Sequence, residues 1–111
     1  AGIEHYRELR EAALEEYNFA EPELNRLGYH YLGEGETEIA IEIFKLNVEA
    51  YPDAFNTYDS LGEAYMKAGQ KELAIQNYER SLELNPGNDN ARQMLRRMGV
   101  DVEDEGDAET G

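Results

Sequence analysis

Two histidines, His5 and His30, are the only imidazoles in the chain, and neither sits in a serine-hydrolase, zinc-protease or phosphate-loop motif. A serine or threonine nucleophile thus has no recognisable base beside it. There is no cysteine, which removes thiol nucleophiles, thiolate metal sites and disulfides together. The acidic run Asp101, Glu103, Asp104, Glu105, Gly106, Asp107 has the composition of a calcium loop. The closing bidentate glutamate that such a loop needs would fall past Gly111, so weak, non-specific cation association is all the run implies. Catalysis, a cofactor and a bound metal are all expected to be absent from this segment. His30, between Tyr29 and Tyr31, reads as a partly exposed helix residue.

Charge narrows the classes of partner further. Across 111 residues, 25 acidic and 10 basic side chains give a formal charge of -15, which opposes association with phosphate backbones and anionic lipid. No apolar run approaches the roughly 18 to 20 residues of a membrane span. A soluble protein is expected, with the cytoplasm as the favoured compartment and neither nucleic acid nor membrane as a partner. The lysine-poor acidity also resembles that of proteins from salt-rich cytoplasm, where screening relieves self-repulsion.

With catalysis set aside, the information lies in a period. A shift of 34 residues places Leu27-Gly28 on Leu61-Gly62, Tyr31 on Tyr65, Gly35 on Gly69, Ala40-Ile41 on Ala74-Ile75, Phe44 on Tyr78 and Pro52 on Pro86. Small, aromatic and turn residues in common register mark a repeat architecture. Each copy reads as two helices. In the first copy, Glu21-Pro22 opens a helix carrying Leu24, Leu27, Tyr31 and Leu32, which Gly33 and Gly35 end. Thr37 to Tyr51 then presents Ile39, Ala40, Ile43, Phe44 and Val48 before Pro52. In the second copy the helices run from Phe55 to Ala68 and from Lys71 to Leu84. Glycine inside a helix costs about 0.5 to 1 kcal/mol relative to alanine. Gly28 and Gly62 are therefore expected at close helix approaches, with Ala40 and Ala74 as the small residues facing them.

The pattern Leu24-x2-Leu27-Gly28-x2-Tyr31, Ala40-x3-Phe44, Pro52, repeated as Tyr58-x2-Leu61-Gly62-x2-Tyr65, Ala74-x3-Tyr78, Pro86, resembles the tetratricopeptide repeat (TPR). It departs from the family in lacking tryptophan at the first aromatic position, where Leu24 and Tyr58 stand, and in having Asn47 and Ser81 where alanine is usual. The resemblance implies an all-α solenoid of antiparallel helix pairs, with about six helices. Tyr31, Phe44, Tyr58, Tyr65 and Tyr78 would be core. The first helices of the repeats would line a concave groove for a peptide or partner helix. The groove positions carry over as Asn25, Tyr29 and Leu32, then Asn56, Asp59, Glu63 and Met66, then Gln93 and Arg97. The carboxylate clamp by which some family members hold chaperone tails is missing, since Asn25, Tyr29, Ser60, Asn90 and Met94 occupy its places. Asp59 and Glu63 instead imply a protein or peptide partner with basic side chains.

The flanks continue the phase. Residues 1–20 are expected to hold a preceding half-repeat helix, with Tyr6 where a small residue would be usual. Residues 21–54 and 55–88 form the repeats, 89–98 a capping helix whose Arg92, Arg96 and Arg97 face outward, and 99–111 a disordered acidic tail. The chain begins Ala1-Gly2 without an initiator methionine, which has two readings, a processed natural terminus or a piece of a longer protein; two copies are few for a self-standing stack, which favours the second. The expected function is a protein–protein interaction module with no catalysis of its own. The alternative is an accessory tail that docks or oligomerises a bacterial hydrolase or peptidase, because Asn25-Arg26-Leu27-Gly28-Tyr29, Phe44 to Glu49 and Tyr58 to Tyr65 resemble TPR segments that follow such domains. Self-association through an apolar end of the stack is a further possibility.

Overall fold

A computed structural model describes residues 21–102. Within them the chain forms five α-helices: α1 (Glu21–Gly33), α2 (Thr37–Ala50), α3 (Phe55–Lys67), α4 (Lys71–Leu84) and α5 (Asp89–Arg97). Consecutive helices pack antiparallel, α1 on α2, α3 on α4 and α5 against α4, with α2 joining the first pair to the second. This is the all-α repeat stack that the period implies. The sixth expected helix, over residues 1–20, lies outside the described residues.

Turn chemistry explains why each helix stops where it does. Pro52 and Pro86 follow α2 and α4 and cannot continue them. At the end of α3 the chain turns through Gly69 at φ +78°, and the N–H of Gln70 donates to the carbonyl of Tyr65 at 2.9 Å. That closure satisfies carbonyls the last turn would leave orphaned, and it needs the left-handed conformation glycine adopts without penalty. Gly99 repeats it after α5 at φ +84°, with the N–H of Val100 donating to Leu95 at 2.9 Å. The tail expected to be disordered from Gly99 onward is thus held at its start. Val100 and Val102 pack against the core, and the Arg96 guanidinium donates to the Val102 carbonyl at 3.1 Å. Two apolar side chains suffice there because the cap at Gly99 fixes the backbone up to Val100 and the Arg96 guanidinium holds the Val102 carbonyl. The rest of the tail, from residue 103, lies outside the described residues.

The core runs continuously through Leu32, Ala40, Phe44, Leu61, Ala64, Tyr65, Ala74, Tyr78, Ala91 and Leu95. Its large–small complementarity differs from expectation. A Cβ on Gly28 would lie 2.3 Å from Cε1 of Phe44, and one on Gly62 would lie 3.0 Å from Cδ2 of Tyr78. Each glycine receives an aromatic ring rather than facing Ala40 or Ala74, which lie one turn earlier on the same faces of α2 and α4. Removing the Cβ lets the ring lie against the helix backbone, which offsets the propensity cost.

Two further expectations are corrected. Arg92 is not on an outer face: it is only 5% exposed, donates to the Pro86 carbonyl at 2.6 Å and pairs with Asp89 at 3.2 Å. A buried guanidinium is tolerated where acceptors meet it, and here it fastens α5 to the turn that precedes it. The aromatic stripe also divides. Phe44, Tyr65 and Tyr78 are core, whereas Tyr31 and Tyr58 are half-buried. The Tyr58 hydroxyl donates to the Pro52 carbonyl at 2.9 Å, and Arg80 lies 5.8 Å from its ring centroid.

Candidate peptide-binding groove

The odd-numbered helices α1, α3 and α5 carry a polar cluster that links them directly. From α1, the Tyr29 hydroxyl donates to Glu63 Oε1 of α3 at 3.0 Å, and the Ser60 hydroxyl of α3 donates to Asn25 Oδ1 of α1. The Tyr29 ring rests edge-on against Phe44, with centroids 5.1 Å apart. From α5 and its cap, Asn90 Nδ2 donates to Asp59 Oδ1 and Asn88 Nδ2 to Asp59 Oδ2, each at 2.9 Å. Asn88 does more than hold Asp59. Its second amide hydrogen goes to Ser81 at 2.9 Å, and its Oδ1 accepts from the Ala91 N–H as the N-cap of α5. Ser81 in turn donates to the Phe55 carbonyl at 2.8 Å.

Neutral donors therefore fix both carboxylates. Among the described residues, no lysine or arginine lies within ion-pair distance of Asp59 or Glu63. Their charge raises the proton affinity of the phenols around them. Burial is the first cause that pushes the Tyr29 hydroxyl up to about 12, with Glu63 and Asp59 adding to the rise and a hydrogen bond with Ser60 opposing it. Tyr78 is raised also, first by burial and then by Asp59, Glu63 and Tyr29. A phenol raised on folding favours the native state below its unfolded pKa of about 10 and withdraws that support as pH climbs toward its folded value. An alkaline ultraviolet titration is accordingly expected to show a tyrosinate component near pH 12 that Tyr29→Phe removes. An unchanged titration curve in that variant would contradict this placement of Tyr29.

Of the positions singled out from sequence, the structure brings Asn25, Tyr29, Asp59 and Glu63 into or beside this one cluster. Met66 borders a small cavity next to it, together with Glu63, Lys67, Tyr78, Asn90 and Met94. Arg97 is exposed, its Nη1 3.9 Å from Met94 Sδ, and Asn56 and Gln93 are exposed as well. Leu32 is 6% exposed and belongs to the core, so it offers little surface to a ligand. Sequence reasoning missed Asn88 as an organiser and Tyr78 as a cavity wall. The first had a signal, an asparagine just ahead of Asp89 where a helix begins after Pro86-Gly87; the second had none.

Helix pairs in sequential antiparallel stacking, at a 34-residue period, with aromatic rings seated on helix glycines, define a helical-repeat scaffold. Residues 60–88 match the family model of the tetratricopeptide repeat. That match concerns the repeat alone and does not bear on a neighbouring hydrolase domain. No curated protein matches the chain. A tetratricopeptide repeat implies a protein-interaction module. No group of three or more metal-ligating side chains occurs among the described residues, and no described helix is long and apolar enough to cross a membrane.

Proposed function

We propose that the face built by α1, α3 and α5 is a groove for an extended peptide or a partner helix bearing a basic side chain. The observation that carries this reading is the state of Asp59 and Glu63. Both are held in place by the neutral donors Asn88, Asn90 and Tyr29, with no described cation paired to them. Neutral donors stabilise a carboxylate without cancelling its net charge, so the field of the pair remains available to an incoming cation. Pre-oriented side chains also lower the ordering cost of association. Met66 supplies adaptable apolar contact beside them, and Asn25, Asn56 and Gln93 supply polar groups along the three helices. Under this reading the segment has no chemistry of its own and acts by holding a partner.

The test uses the chain as it stands. Peptides selected from a random display library on the wild-type protein are expected to be enriched in arginine or lysine. The double variant Asp59→Asn/Glu63→Gln keeps the shape of both side chains, and a thermal melt establishes that it folds. It is expected to bind the selected peptides about tenfold more weakly, the loss of one charge-assisted contact. Selected peptides without basic residues, or with affinity indifferent to the double variant, would defeat the proposal.

A further inference from the structure

We infer that the cavity between α3, α4 and α5 is a subsite for a single arginine side chain of the peptide held in the groove. The inference rests on the groove reading above and adds the residue it would recognise. The cavity encloses about 260 Å³ and is lined by Glu63, Met66, Lys67, Tyr78, Asn90 and Met94. That volume is below the roughly 300 to 1,000 Å³ of sites for cofactors and drug-sized ligands, and it suits one long side chain.

Apart from the Lys67 ammonium, the polar side chains on its lining offer acceptors. Glu63 spends Oε1 on Tyr29 and keeps Oε2. Asn90 spends its amide nitrogen on Asp59, which leaves Oδ1. Tyr78 also lines the cavity, and its hydroxyl oxygen adds a further acceptor there. Two thioethers, Met66 and Met94, form the apolar walls. A ligand group that meets several acceptors while resting on polarizable apolar walls must be rich in donors, cationic, and carried on an aliphatic stem. Guanidinium, planar with five donors, fits this better than the compact and strongly hydrated ammonium of lysine.

Two cations border the same cavity and sharpen the specificity. Lys67 is on its lining, and Arg97 reaches the Met94 sulfur at 3.9 Å. Neither is ion-paired with Glu63. Their field opposes a polybasic segment but admits one arginine flanked by neutral or acidic residues.

The experiment titrates the protein, isotope-labelled at its methionine methyl groups, with a synthetic pentapeptide of central arginine and flanking alanines, blocked at both ends. Twins carrying citrulline or lysine at the centre are run beside it. The chain has three methionines. Met98, 8% exposed and outside the cavity lining, is the internal control. The arginine peptide is expected to shift the Met66 and Met94 signals and leave Met98 still. The citrulline twin, equal in shape and neutral, is expected to bind about tenfold more weakly, with lysine between them. Glu63→Gln should weaken the arginine peptide, and Tyr78→Phe, which retains the ring and its packing, should weaken it a few-fold. Lys67→Ala should tighten it. Equal binding of the arginine and citrulline twins, or still Met66 and Met94 signals, would overturn the subsite. The groove reading fails separately: display peptides that depend on Asp59 and Glu63 yet leave both methionine signals unmoved keep the groove and sink the subsite. Arginine-dependent shifts without such peptides keep the subsite and sink the groove.

Discussion

Gly28→Ala is expected to melt roughly 10 °C below the parent protein, while Gly62→Ala melts within about 3 °C of it, although the two glycines are equivalent in the repeat. The difference follows from the contacts. At Gly28 the new methyl would lie 2.3 Å from Cε1 of Phe44 and 2.7 Å from two further ring atoms. Phe44 has no exposed surface, so its ring can move only by displacing other core side chains. Overpacking of this kind costs about 1 to 3 kcal/mol, and at this depth of overlap the upper end applies. The gain from replacing a helical glycine by alanine returns about 1 kcal/mol, leaving a net loss of about 2 kcal/mol. At Gly62 the nearest atom is 3.0 Å away and the others lie at 3.1 and 3.2 Å. A shift of a few tenths of an ångström accommodates the methyl, and propensity offsets what remains. Thermal unfolding followed by circular dichroism reads both variants. A second measurement isolates the cause, since Phe44→Leu placed together with Gly28→Ala removes the ring edge and should recover part of the loss as a favourable coupling. Equal melting temperatures for the two alanine variants would show that these ring contacts do not set the balance.

Asn88→Ala is expected to cost about 2 to 3 kcal/mol, more than its single position in a turn suggests, because one amide serves three elements. It caps α5 at the Ala91 N–H, donates to Asp59 on α3 and donates to the fully buried Ser81 on α4. Alanine leaves the cap empty and withdraws a donor from two acceptors at once. Hydrogen exchange of the α5 amides should accelerate ahead of those in α2 and α3, since α5 is the element released. Uniform exchange across all helices would refute that ordering. Asn88→Asp separates the roles: aspartate caps a helix as well as asparagine does, but it loses both donors and puts a second carboxylate against Asp59. At neutral pH it should be destabilised like the alanine variant, and it should regain stability on acidification toward about pH 4, where a shared proton relieves the repulsion. Loss of α5 docking also dismantles the cavity, because Asn90 and Met94 come from that helix.

The legible part of this molecule was whatever a residue decides with its near neighbours along the chain. Prolines 52 and 86 and the glycines after α1 and α3 punctuate the helices locally, which is why the helix ends read from sequence stand within a residue of those observed. The 34-residue register announced the pairing of helices, whereas Asp59 and Glu63 entered as groove positions through the resemblance to the tetratricopeptide repeat, their spacing of four putting them one helical turn apart. Even Gly28 and Gly62 were recognisable as close approaches, because a helix does not accept glycine without a reason.

Tertiary structure decided everything that depends on depth and on which side chains converge from separate helices. A period assigns a residue to a face but not to a distance from the axis of the stack. Arg92 could therefore be read as outward-facing and yet lie buried on the Pro86 carbonyl, and Leu32 could be read as groove-lining and yet belong to the core. The ring that enters each glycine notch comes from one turn beyond the alanine expected there, a choice made by the packing of α2 on α1 and of α4 on α3. The Tyr29–Glu63 bond spans 34 residues and the Asn88–Asp59 bond spans 29. No local propensity encodes either bond, since each exists only once separate helices have docked in register, and it is those contacts that fix the Asp59 and Glu63 side chains in place.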